Sequence, residues 1–234
     1  MKKLTSFIIL FLTLSLGFSQ NRKNWTELDY LNADEFRFQT ENDITGKFFV
    51  TVSDNFNYYT NPIIIKDLRN KEIVKIEFSE TGIDIVFEGI KYQGNDTSNP
   101  LKPWLLMLNP DFFRLVFECV DITANHYVVK LNENEVGYIA TDNPDFKRVT
   151  IEDFIKHWTE LGFDFDRSTN PLRTEPNEGG QIILNSLNEK YKIWTGGILE
   201  LRSDWLKIRT INDEVGWIKW RDGQKVLIKM YYAC

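Results

Sequence analysis

The sequence predicts a mainly β protein with one amphipathic helix. Three observations predict it. Apolar and polar residues alternate with period two along most of the chain. The alternating runs are rich in Val, Ile, Phe and Tyr and are divided by Asn, Asp and Gly turns. One segment switches to a helical period.

The strands are read in order. "KFFVTVS" (47–53), "PIIIKDL" (62–68), "EIVKIEF" (72–78) and "GIDIVFEGIKY" (82–92) come first. "FRLVFECVDI" (113–122), "HYVVKL" (126–131) and "EVGYIA" (135–140) follow. Short strands at such spacing indicate an all-β domain. "TIEDFIKHWTELGF" then places Ile151, Phe154, Ile155, Trp158 and Leu161 on one helical face. Thr150 is the expected N-cap and Gly162 the stop, giving a helix over 150–162. Its apolar stripe must cover the preceding sheet or bridge two domains. "DFDRSTNP" (164–171) reads as the linker after it.

The chain opens with Lys2 and Lys3, an apolar run from Phe7 to Leu16, and Gly17-Phe18-Ser19 before Gln20. Small residues at −3 and −1 predict a secretory signal peptide over 1–19. The apolar run is short for a membrane span, with an uncleaved anchor as the alternative. No cysteine follows it, so no lipid anchor is expected. The expectation is an exported protein, periplasmic or extracellular, with no membrane span after cleavage.

Net charge is −6, and it is unevenly spread. Residues 169–234 hold ten Lys/Arg against eight Asp/Glu, while residues 20–168 hold sixteen against twenty-six. This break predicts two domains, an acidic one over 20–163 and a second over 164–234. Nucleic acid and anionic lipid are poor partners for such a chain, because both reward a positive face.

No catalytic constellation emerges. Cys119 shares a strand face with Leu115 and Phe117, which reads as a buried thiol. Export would equally permit a Cys119–Cys234 bridge. His126 follows Cys119, but "FECVD" supplies acids where a nucleophilic thiol needs a cation or a helix N-terminus. The segment "KPWLLMLNPDFF" offers no convergent acid, base or nucleophile. Asp164, Asp166, Ser168, Asn170 and Glu175 stand at calcium-loop spacing, yet Thr169 replaces the required Gly and no second helix follows. Neither metal nor cofactor is expected.

The stretch "DWLKIRTINDEVGWIKW" (204–220) carries three tryptophans. Alternation puts Leu206 and Ile208 on one face of a strand and Trp205, Lys207 and Arg209 on the other. "INDE" reads as a hairpin turn. Gly216 in the return strand marks a close crossing.

"NPLRTEP" (170–176), "WLKI" (205–208) and "GWI" (216–218) come in the order of the opening, middle and closing elements of the bacterial SH3 (SH3b) family. Residues 168–230 therefore resemble that family. The chain departs from its pattern at Leu172 and in the long connection "TGGILELRS". The resemblance implies a small SH3-like barrel after the helix, a non-catalytic binding module. It implies recognition of a peptide, either cell-wall peptidoglycan or a periplasmic protein. The groove it implies holds Trp205, Lys207 and Arg209, with Tyr191 or Trp194 near the connecting loop, and Trp217 in the core.

"NENEVGYIA" (132–140) echoes "INDEVGWIK" (211–219). Aligning Gly137 with Gly216 sets Val129 on Ile208 and His126 opposite Trp205. The echo is either a diverged SH3-like unit over 47–141, interrupted between about 80 and 112, or a generic hairpin pattern. A different function class also fits the charge: an inhibitor or immunity-type protein whose acidic domain plugs a basic cleft.

Overall fold

The computed structural model describes residues 43–79, 82–94, 96–108, 113–159, 163–183, 198–209 and 213–230. Residues 1–19, expected as a signal peptide, and Tyr191, Trp194 and Cys234 lie outside them. The described residues are mainly β, with one helix and several antiparallel sheets. They divide into two compact units. The larger holds 43–158 with 219–227, and the smaller holds 159–218 with 228–230.

The larger unit is built on a ten-stranded sheet. Its strands are β1 (Phe48–Val52), β2 (Ile63–Lys66), β3 (Glu72–Ser79), β4 (Gly82–Phe87), β5 (Ile90–Gln93), β6 (Leu105–Met107), β7 (Arg114–Ile122), β8 (His126–Lys130), β9 (Val136–Ala140) and β10 (Phe146–Val149). They run in the order β10-β1-β7-β8-β9-β2-β3-β4-β5, with β6 also paired to β7. The stretch 82–92, expected as one strand, is the hairpin β4–β5. Glu88 and Gly89 turn it with φ of 49° and 85°, the left-handed pair that a two-residue hairpin requires. Glutamate in place of Asn or Asp hid that turn from the sequence. Residues 82–107 thus add β4, β5 and β6 to the same sheet.

Alternation along the strands collects one apolar face. Val74 and Ile76 of β3, Ile83 and Ile85 of β4, and Leu115, Phe117 and Cys119 of β7 all enter one core. The sheet rolls around it. Phe78 on β3 and Phe113 before β7 are four strands apart in the sheet order, about 19 Å if the sheet were flat. Their ring centroids are 4.9 Å apart.

β1 is buried on both faces, with the helix packed over its outer face at Phe49. This helix, α1, spans Ile151–Thr159, while 160–162 lie outside the described residues. Thr150 caps it: the Asp153 amide donates to its hydroxyl at 3.0 Å, and that hydroxyl donates to the Asp153 carboxylate at 2.7 Å. The Phe154 ring packs 4.8 Å from Phe49 and 5.1 Å from Trp104. Burying one such ring contributes about 2 kcal/mol. Of the two roles expected for the apolar stripe, covering the preceding sheet is the one these contacts show.

Residues 219–227 form a small hairpin in the larger unit. Its strands are β15 (Arg221–Asp222) and β16 (Lys225–Val226), and Gly223 turns it at φ 60°. Trp220 is fully buried beneath the Arg221 guanidinium, 4.7 Å from its ring.

The smaller unit holds β11 (Phe163–Phe165), β12 (Ile198–Arg202), β13 (Trp205–Arg209), β14 (Val215–Lys219) and β17 (Ile228–Met230). The stretch expected as a linker begins within β11, which pairs antiparallel with β17 through Phe163 and Met230. Strands β12, β13 and β14 form a three-stranded sheet.

Candidate functional site

The smaller unit's three-stranded sheet has two chemically distinct faces. Leu206 and Ile208 of β13 and Ile218 of β14 are fully buried on the inner face. Gly216 lies between them in pattern, and its neighbours explain why it is glycine. A Cβ there would stand 2.7 Å from Leu172 and Ile183 side-chain carbons and 2.8 Å from the Arg173 carbonyl oxygen. Arg173 and Trp217 exchange both backbone hydrogen bonds at 2.8 Å. The stretch "NPLRTEP" is therefore held against the closing strand.

The other face carries the cations. Cross-strand register sets Arg202 beside Trp205 and Glu200 beside Lys207, so all four share one side. Trp217 joins them. The Arg202 guanidinium lies 5.1 Å from its ring centroid and the Lys207 ammonium 5.7 Å. Both distances suit a cation held on the ring's negative face. Trp217 is only 4% exposed, with these cations on its ring.

Trp205, expected to face a ligand, is 9% exposed. Lys207 and Arg209 thus supply most of the accessible chemistry. Arg209 pairs loosely with Asp213 at 3.8 Å, and Arg202 pairs with Glu200. Lys207 has no carboxylate partner among the described residues. Exposed pairs hold their partners weakly, by about 0–1 kcal/mol, so Arg209 exchanges Asp213 readily. The arrangement can bind a carboxylate beside an apolar side chain. Tyr191 and Trp194 lie outside the described residues.

Sequence reasoning missed one buried ion pair in this unit. Arg167 donates to the Glu214 carboxylate at 3.2 Å, with both side chains about nine-tenths buried. Burial pushes the guanidinium pKa down, and Glu214 opposes that shift. The two residues are far apart in the chain, so no local pattern announces the pair.

Among its described residues, the larger unit does not bring Cys119 and a histidine together. Cys119 is a free, buried thiol. Burial, foremost, pushes its pKa up to about 11, against hydrogen bonds from nearby backbone. Cys119 pairs with Val129 across β7 and β8; strand alternation then puts His126 on the opposite face. Asp166 of the calcium-like spacing is engaged locally, accepting from the Ser168 amide at 2.8 Å and hydroxyl at 2.6 Å.

Comparison with protein-family models, with curated proteins and with solved structures finds no match to this chain.

Proposed function

We propose that this chain is a non-catalytic exported binding protein whose smaller unit is an SH3b-like module that recognises a peptide. Cell-wall peptidoglycan is the first ligand to test, and the tail of an exported protein is the second. One observation carries the reading: the Lys207 ammonium, without a carboxylate partner among the described residues, stands over the buried Trp217 ring on the sheet face opposite Leu206 and Ile208. Lys207 and Arg209 would take peptide carboxylates through charge-assisted hydrogen bonds. The opening stretch held against the closing strand supports the resemblance on which the reading rests.

Sedimentation of the mature protein with purified peptidoglycan tests this. Wild type should be retained at low salt, and less so as salt rises. The double variant Lys207→Ala/Arg209→Ala should stay in the supernatant while losing only about 0.5–1 kcal/mol of stability, the worth of the cation–ring contact on Trp217. No retention of wild type at any salt would contradict wall binding. A basic protein captured by the acidic residues 43–158 would then favour an inhibitor or immunity-type role.

A further inference from the structure

β2 and β9 meet at one point in the ten-stranded sheet. Lys66 opposite Tyr138 is their single register pair, whereas β8 and β9 share five and β2 and β3 share four. Away from that pair the strands part, and a recess of about 310 Å³ opens between Pro62–Ile64 and Ile139–Ala140. That volume lies at the small end of ligand sites. The floor is apolar: Ile63 and Ile139 are buried, with Phe56 and Phe146 half-buried beside them.

Three polar side chains line the recess without a hydrogen bond or ion pair to any described residue. They are the His126 imidazole, the Tyr138 hydroxyl and the Asp145 carboxylate. Asp145 carries the unbalanced charge. Its amide donates to the Asn143 side-chain oxygen at 2.9 Å, and its carbonyl accepts from the Ser53 amide at 2.8 Å. The backbone is thus fixed while the carboxylate stays exposed. Lys147, two residues on, is held by Asp54 at 2.6 Å. The other charges of the recess, Lys66 and Asp67, are adjacent and engaged in the β2–β3 turn. Lys66 donates to the Asn70 side-chain oxygen at 2.9 Å. Asp67 accepts from the Arg69 and Lys71 amides at 2.8 and 2.9 Å.

An anion in the recess would meet the Asp145 carboxylate. A calcium ion would need about six oxygen ligands, and no cluster able to hold a metal ion occurs among the described residues. A monocation on an apolar stem fits both parts of the recess. Its charge would lie on Asp145 and beside the half-buried Tyr138 ring, and its methylenes on the apolar floor. We propose that this recess takes a lysine or arginine side chain from a basic protein partner. The acidic balance of residues 20–168 favours a basic protein over a free amine, since it attracts many cations at once. The site lies in the larger unit and does not rest on the peptide reading of the smaller one.

The test is an amide-NMR titration of the protein with acetyl-Gly-X-Gly-amide tripeptides, X being lysine, arginine or norleucine, and with butylammonium. The lysine or the arginine tripeptide should bind saturably with a Kd of about 1–10 mM. It should shift amides around residues 62–66 and 138–146. Norleucine, which keeps the stem and loses the charge, should bind about three- to fivefold more weakly. Asp145→Asn keeps the backbone bonds to Asn143 and Ser53 and should weaken the cationic tripeptide by the same factor. The proposal is overturned if neither cationic tripeptide binds at about 20 mM, if norleucine binds equally well, or if Asp145→Asn binds undiminished. Butylammonium binding as tightly as the tripeptides would overturn the protein source. Wall sedimentation is read on Lys207 and Arg209 and this titration on Asp145, so failure of one is separable from failure of the other.

Discussion

Glu118 shows how one buried carboxylate on an interior strand can fix the segment that leads into its neighbour, β1. Its side chain is 4% exposed, and it accepts from the Thr45 amide at 2.6 Å, the Gly46 amide at 3.0 Å and the Thr45 hydroxyl at 3.1 Å. Lys130 stands 3.8 Å away. Removing the carboxylate strands two amides, and a buried unmet donor costs about 1–3 kcal/mol. Glu118→Ala should therefore destabilise the larger unit by at least about 2 kcal/mol, read from its urea midpoint. Cys119, one residue on, gives a pH signature. A thiol whose folded pKa is raised favours the folded state while it stays protonated. That contribution is present below the unfolded pKa and is lost as pH rises toward about 11. Stability should fall with alkaline pH, and Cys119→Ala should flatten that slope. Folded protein should also resist thiol reagents at pH 8, because the thiolate is the reactive form.

At the scale of elements, two glycine-bearing hairpins make opposite predictions. Glu88 holds a left-handed φ of 49° in the β4–β5 turn, a conformation that Asn adopts at less cost. Glu88→Asn should raise the larger unit's stability by a few tenths of a kcal/mol, up to about 1. Gly216 is confined by the Arg173 backbone carbonyl as well as by side chains. Gly216→Ala should cost the smaller unit about 1–3 kcal/mol, the range for overpacking, and loosen the Arg173–Trp217 pairing. A circular-dichroism melt checks both. The same elements show what the sequence revealed. Strands with clear alternation, such as β3 and β7, and the capped helix were legible, because their period and their caps are local. The β4–β5 turn was not, because Glu-Gly does not announce a left-handed pair. β11 reads as linker in the sequence because its partner, β17, lies far along the chain. The ring stack of Tyr58, Tyr59, Phe78 and Phe113 was equally invisible, since it exists only when the sheet rolls.

At the scale of the whole molecule, the tryptophans of 204–220 divide between two units. Trp205 and Trp217 belong to the smaller and Trp220 to the larger. Sequence alternation correctly grouped Trp205 with Lys207 and Arg209 on one strand face. It could not show how far Trp205 is covered, because coverage depends on residues from other strands. Accessible chemistry on that face therefore moves to the cations, and ligand binding should be more sensitive to Lys207 than to Trp205. The most direct test is an amide-NMR titration of the protein with soluble peptidoglycan fragments bearing free stem-peptide carboxylates. The account predicts saturable shifts at the amides and indoles of Trp205, Lys207, Arg209 and Trp217, abolished by Lys207→Ala/Arg209→Ala. No shifts in β13 and β14, or shifts that survive the double variant, would contradict it.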